Sequence, residues 1–412
     1  MKKGFLYSII LSFLLPPLWE ALGAGSLLAN AAIRKEYKNM KEYIKTSNYA
    51  KGREQIAKCL ADTTINTDPE FYALAIALET KANDAENMKL YLNQKYDTAS
   101  FFNSNSKIVE YSLMQDKAQN ALAPLPESKR KKKAAGLVPY YQNLYNGGVF
   151  FIKHKQWATA DRMFSMFIDT SSHPLLEDHV SVPMSKMARA AFWSMTACYE
   201  NKQYKDVFKY HDLAEADTAN INYVLQYEAL AYEQLKDTAN YVSKLKEGIA
   251  KNPTASEFFF SRLTDYYNSV HDYKSAYMLN DSLLRTDSTS TLYLYAQTIV
   301  LFNMKEYDKC ISNTENLLRI SPDNSDASYY LGLCWYNKGL DYDATITPDP
   351  TSKAYKESKR KVNQMFEQAM PYLEKFRAAR PDDKERWQAP LYRIYFSLNL
   401  SDKLKELETA TR

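Results

Sequence analysis

The stretch YYLGLCWYNKG, Tyr329–Gly339, is an apolar and aromatic run interrupted by Gly332 and closed by Gly339, without the alternation of a half-buried strand. A glycine inside a helix costs about 0.5–1 kcal/mol relative to alanine, so a compensating gain is required. Close approach of a neighbouring helix supplies one. If that is the reason for Gly332, the same spacing of large and small residues should recur along the chain.

It does. Tyr204, Thr238, Tyr273, Tyr307 and Asp341 fall in one column, separated by 34, 35, 34 and 34 residues. Six residues before each stand Cys198, Tyr232, Tyr267, Leu301 and Trp335. Nine before stand Met195, Ala229, Thr264, Thr298 and Gly332, mostly small, and three after stand Val207, Tyr241, Ala276 and Cys310. Pro253 and Pro322 close two of the units, where a proline can stop a helix but hardly continue one. An earlier segment, NLYNGGVFFIKHKQWATADRMF, carries Gly148, Phe151, Trp157, Ala160 and Phe164 at the same offsets. It stands 47 residues ahead of the next unit, which makes SSHPLLEDHVSVPM an inserted loop. Ala369, Leu373 and Pro381 restore half a unit after a second insertion, ITPDPTSKAYKESKRK.

These offsets resemble the tetratricopeptide repeat, a 34-residue helix-turn-helix unit, and LGLCWYNKG matches its Leu-Gly-x-x-Tyr positions through Leu331, Gly332 and Trp335. The resemblance implies an all-α protein, a right-handed α-solenoid of helical hairpins, with Gly332 as a packing residue between the two helices of its unit. The expected organisation is an export signal over 1–31, degenerate helical repeats over 32–123 and a basic linker over 124–138. A repeat solenoid over 139–383 follows, with insertions near 172–186 and 343–360, and capping helices over 384–412 shield the last apolar face from water.

Composition agrees with helices. Ten glycines in 412 residues leave few for the tight turns and phosphate-cradling loops of α/β enzymes. The 33 tyrosines call either for interhelical packing or for a ligand surface. At the amino terminus, Lys2 and Lys3 precede an apolar stretch from Gly4 to Leu15, and a small-residue ANA occupies Ala29–Ala31. The pattern is that of a cleavable export signal, placing the mature protein in the periplasm or outside a Gram-negative cell without stable membrane insertion. Net charge is +4, but the run KRKKK at Lys129–Lys133 supplies +5 and the leader +1, so the rest carries −2. A nucleic-acid-binding face needs positive charge spread over it, and nucleic acid is therefore not an expected partner.

No nucleophile elbow, phosphate loop, dinucleotide fingerprint or HExxH occurs after the leader, so neither a catalytic residue nor a cofactor is expected. Cys59, Cys198, Cys310 and Cys334 lack the short spacing of a zinc or redox site and read as small core residues. Cys310 and Cys334, on adjoining helices of successive units, are the two positioned to pair. His173 and His179 share the first insertion with Glu177 and Asp178, which loop polarity explains without a metal. In a tetratricopeptide solenoid the first helix of each unit lines the concave groove. The groove offsets carried over from that family fall on Phe192, Tyr199, Tyr223, Phe258, Tyr295, Phe302, Tyr329 and Tyr336. An aromatic groove implies a non-enzymatic scaffold for a peptide or partner protein; the alternative is a glycan- or nutrient-binding component of the outer membrane, with tyrosines stacked on sugar rings.

Overall fold

The structure, a computed structural model, describes residues 22–251, 257–346 and 349–411. Among them every regular element is helical. The apolar stretch of the expected export signal, Gly4 to Leu15, lies outside the described residues, whereas the expected cleavage site after Ala31 falls inside the first helix, Leu22–Lys45. The chain divides after Lys236 into two compact units. The first contains α1 (Leu22–Lys45), α2 (Tyr49–Ala61), α3 (Pro69–Tyr91), α4 (Thr98–Leu122), α5 (Glu127–Lys153), α6 (Trp157–Thr170), α7 (Met184–Glu200), α8 (His211–Glu215) and α9 (Ile221–Gln234). The second contains α10 (Thr238–Lys251), α11 (Glu257–Ser269), α12 (Tyr273–Thr286), α13 (Thr291–Asn303), α14 (Tyr307–Ile320), α15 (Ser325–Asp343), α16 (Lys353–Ala379), α17 (Lys384–Ser397) and α18 (Ser401–Thr411).

The aromatic column marks where second helices begin: Trp157, Thr238, Tyr273 and Tyr307 are each the first residue of one. Two residues earlier the backbone turns left-handed, at Lys155, Lys202, Lys236, His271 and Lys305, with φ between 55° and 61°. In these turns the first helix closes with a pair of hydrogen bonds. The Lys305 N–H donates to the Phe302 carbonyl at 3.0 Å and the Glu306 N–H to that of Leu301 at 3.0 Å; His271 and Asp272 donate likewise to Asn268 and Tyr267. This is the Schellman closure, in which a left-handed residue just past the helix end lets the next two amides satisfy its last carbonyls. Glycine usually takes that position, yet none of the described glycines has a positive φ.

Gly52, Gly147, Gly148, Gly248, Gly332 and Gly339 serve packing, whereas a Cβ on Gly136 would meet nothing. A Cβ on Gly332 would lie 2.7 Å from Leu373 Cγ and 3.2 Å from the Ala369 carbonyl oxygen, so the absent side chain is what allows α15 and α16 to touch. Leu373 and Ala369 are the residues the repeat assigns to the second helix of that unit. Gly148 meets the Phe164 ring in the same way between α5 and α6. In the first unit a cluster around Met40, Ile56, Phe71 and Leu78 joins α1–α3, and a larger one runs from Ile108 and Val109 through Phe164 and Met195 to Ala231. In the second, α17 and α18 close against α16 through Trp387, Leu391, Ile394, Tyr395 and Leu407, all nearly inaccessible.

Two expectations of organisation are corrected. Residues 124–138 are not a linker, because α5 begins at Glu127 and its Ala134 and Leu137 are buried in the core with Ile108 and Val109. Pro124 and Pro126 only separate α4 from α5. The basic residues beyond them are good helix formers, with Arg130 reaching the buried Asp116 at 3.5 Å and Lys131 pairing with Glu127 at 2.6 Å. The insertion near 343–360 is partly helix as well: α16 starts at Lys353, held to α15 by Lys359–Asp343 at 2.5 Å. Tyr204 and Asp341 also depart from the column. After Tyr204 the second helix is broken into a 3-10 turn at Asp206–Phe208 followed by α8, while Asp341 lies inside α15.

Cys310 in α14 and Cys334 in α15 form a disulfide, with Cα atoms 6.7 Å apart, inside the range of about 4.4–6.8 Å that a bridge can span. The reading of these two as plain core residues is therefore corrected. Cys59 and Cys198 remain free and buried.

Two substitutions test this packing. Leucine at Gly332 gains about 0.5–1 kcal/mol in helix propensity but must displace Leu373 and the α16 backbone, which costs about 1–3 kcal/mol, so Gly332→Leu should lower the melting temperature. Lys305→Gly should raise it. Relief of a left-handed non-glycine residue, about 1–2 kcal/mol, exceeds the roughly 0.5–1 kcal/mol that glycine adds to unfolded-chain entropy. Thermal denaturation followed by circular dichroism checks both signs.

Candidate functional site

Four aromatic rings of the second unit gather on α13 and α15. Tyr330 is at their centre: its ring centroid lies 6.0 Å from Tyr295, 5.5 Å from Phe302 and 5.5 Å from Tyr329, in edge-on contacts. Such contacts hold the rings at fixed angles, each worth about 0.5–1.5 kcal/mol beyond its buried area. All four are half-buried. Burial pushes the Tyr295 hydroxyl up to about 12, with the Tyr330 phenol and the Asp326 carboxylate adding to it, so Tyr295 is a neutral hydrogen-bond donor at any physiological pH.

One charged group completes the face. The guanidinium of Arg386, on α17, stacks 4.0 Å from the Tyr329 centroid and 4.6 Å from that of Phe376. Its Nη1 donates to Asp326 at 2.8 Å and to Asp383 at 3.4 Å. The cap thus contributes a cation to the same surface as the aromatic rings. Flat rings with an oriented guanidinium beside them can bind apolar or aromatic side chains and accept hydrogen bonds from or donate them to a peptide backbone.

The other groove residues divide differently. Tyr336 stays outside the cluster and stacks on Phe366 of α16 at 5.6 Å. Tyr329 also packs on Phe376 at 4.8 Å, so it supports the cap as much as the face. Phe258 is covered by the Arg262 guanidinium at 4.0 Å. In the first unit Phe192 is buried, and Tyr199 and Phe192 both turn toward Tyr227, at 5.3 and 6.3 Å, which leaves Tyr223 as the exposed ring there. Tyr330 and Arg386 were not legible as site residues. The first sits one position off the groove offset, and the second reaches the face from a helix outside the repeat.

His173 in the first insertion accepts the Leu175 N–H on its Nδ1 at 3.1 Å, and Leu175 and Leu176 are buried, so this loop is tucked into the core. Burial lowers the His173 pKa. Among the described residues a different group has the spacing of a metal site: His211, Glu215 and Glu228, whose ligand atoms all lie within 4.8 Å of one another. The available signal was His211 and Glu215 one helical turn apart.

No family model and no curated protein matches the chain. Among solved structures it is similar to the C-terminal part of a TPR repeat-containing protein from Cytophaga hutchinsonii, at 13% identity and a TM-score of 0.37, over 65% of this chain and 99% of that one. A tetratricopeptide repeat protein from Parabacteroides merdae matches at 14% identity and 0.35, over 66% and 98%. A TPR repeats protein from Bacteroides fragilis matches at 19% identity and 0.31, over 62% and 97%. With scores this low, the fold assignment rests on the chain's own 34-residue period, left-handed turns and small-residue helix contacts. The fold is of the tetratricopeptide type.

Proposed function

We propose that this chain is an exported, non-enzymatic scaffold that holds an extended peptide or a partner protein. The observation that carries the proposal is the half-exposed cluster of Tyr295, Phe302, Tyr329 and Tyr330 beside the Arg386–Asp326 pair. Tyrosine and arginine are the side chains that most often dominate a binding surface, because they bring large contact area and directional hydrogen bonds with few rotatable bonds to freeze. Export is supported by the leader pattern and by the Cys310–Cys334 bridge, since disulfides persist in oxidising compartments and are rare in reducing ones.

Export and the bridge are tested together. Protein recovered from the periplasm or medium should begin near Ala32 and should leave Cys310 and Cys334 unalkylated until it is denatured and reduced. Reduction of this bridge, which closes a 24-residue separation, should cost about 3 kcal/mol. Recovery of the chain with Met1 in place, or with Cys310 and Cys334 alkylated in the unreduced, unfolded protein, would count against export.

The binding face is tested with a Tyr295→Ala, Tyr330→Ala double variant and a Tyr336→Ala control, using a partner captured from periplasmic extract and a glycan array in parallel. The double variant should weaken partner binding by about 2 kcal/mol or more. Tyr336→Ala should lower stability while leaving binding per folded molecule intact, because its ring serves the α15–α16 contact. Binding retained by the folded double variant rejects the face, and capture by glycans in place of protein rejects the scaffold reading.

A further inference from the structure

Within the first unit a cavity of about 440 Å³ opens between Arg53 of α2, Glu79 of α3, Asn103, Lys107 and Tyr111 of α4, and Arg162 of α6. Asn103, Lys107 and Tyr111 stand four residues apart and so share one face of their helix. Three cations therefore surround one cleft, and what matters is how many of them are already matched.

Two are. Arg53 donates from Nε and Nη2 to the two oxygens of Glu79 at 2.9 and 2.7 Å, and from Nη2 to Ser104 at 3.0 Å. That uses up Glu79, which is buried, but leaves Arg53 Nη1 with no acceptor among the described residues. Lys107 pairs with Glu110 at 2.8 Å and lies over the Tyr111 ring, 5.4 Å from its centroid. Arg162 has no carboxylate. Among the described residues its one hydrogen bond is a donation from Nη2 to Asn103 at 3.2 Å. Tyr111 completes the set: it is only 4% exposed and lines the cavity, yet its hydroxyl bonds to no described residue. A buried phenol normally finds a partner, so this one calls for an acceptor from outside the chain. Burial raises its pKa, Glu110 and Glu79 add to the rise, and Arg53 and Arg162 are near enough to oppose it, so the hydroxyl stays protonated and able to donate.

We propose that this cleft binds one carboxylate of an aspartate or glutamate side chain in a peptide ligand. Arg162, Arg53 Nη1 and the Tyr111 hydroxyl donate to its oxygens, and Ala57 and Leu60 of α2 cover its methylene groups. The planar fork of a guanidinium matches the two oxygens of a carboxylate. One unmatched positive charge also suits a carboxylate better than a phosphomonoester, which carries about −1.5 to −2 near neutral pH. From the scaffold reading the proposal takes only that the ligand is a peptide. Its residues all belong to the first unit, whereas the aromatic face belongs to the second.

The test uses the mature protein and saturation-transfer NMR with two probes: N-acetylglutamate N-methylamide, whose one carboxylate is on the side chain, and N-acetylalanine, whose one carboxylate is terminal. Inorganic phosphate serves as competitor. The glutamate probe should bind more tightly than N-acetylalanine and should persist at an equal concentration of phosphate. Arg162→Gln, an exposed change, should weaken it by about tenfold. Tyr111→Phe removes an oxygen that holds no other group, so it should weaken binding severalfold without lowering the melting temperature. Lys132→Gln, which removes an exposed charge on α5 outside the cavity, should leave the affinity unchanged. The proposal is overturned by absence of binding to the wild-type protein, by tighter binding of N-acetylalanine or phosphate, by wild-type affinity in folded Arg162→Gln or Tyr111→Phe, or by an equal loss in Lys132→Gln. None of these readouts involves the aromatic face, so failure here leaves the scaffold reading standing.

Discussion

A hairpin of two helices of about fourteen residues cannot bury both of its apolar faces by itself. Everything else in this structure follows from that constraint. Each helix must find its neighbour in the next hairpin, so the same positions are buried again and again: Leu245, Asn280 and Thr314 at one place in the second helices, Leu263, Gln297 and Leu331 at one place in the first. Stability is then close to a sum of neighbour contacts, and a single contact that fails is felt locally. Gly332 shows how little slack there is, because one added carbon would meet Leu373.

The same constraint explains the polar residues in the core. Thr314 donates its hydroxyl to the Cys310 carbonyl at 2.7 Å and accepts from Thr298 at 3.0 Å, and Asn280 donates to the Ala276 carbonyl at 2.7 Å. Small polar groups that can be satisfied by the helix backbone are tolerated where helices approach closely, whereas an unsatisfied one would cost about 1–3 kcal/mol. His211 and Glu228 are a more demanding version of this, a hydrogen-bonded imidazole and carboxyl pair at a junction where the other repeats use apolar, amide or hydroxyl side chains. Two different surfaces result: an aromatic face built from first helices of the second unit, and a histidine–carboxylate edge on the first.

The turns are economical in another sense. With lysine or histidine at the left-handed position, the turns at Lys155, Lys202, Lys236, His271 and Lys305 accept a modest backbone strain, yet the Schellman hydrogen bonds satisfy carbonyls that would otherwise be left open at the helix end. Most of the described glycines stand where helices touch, Gly148 and Gly332 among them. This division accounts for a chain of many turns with only ten glycines.

Periodicity needs only one chain to be read, and it carried the helix hairpins, the start of second helices at Thr238, Tyr273 and Tyr307, and the packing role of Gly332. Those are properties of residues at fixed separation along one helix or across one tight turn, where sequence distance and spatial distance are tied together. The helical state of 127–138 was hidden, because two prolines and a run of lysines look like a linker until Ala134 and Leu137 find a core contributed by α4. Likewise Tyr295 and Phe302 could be picked from their offsets, but the ring they surround, Tyr330, and the guanidinium beside them, Arg386, are set by how α15 turns and where α17 docks. Glu228 stands seventeen residues from His211, a separation with no meaning within one helix. Only the packing of α8 on α9 makes them neighbours, because side chains on different helices meet at distances that tertiary contact decides and sequence spacing does not.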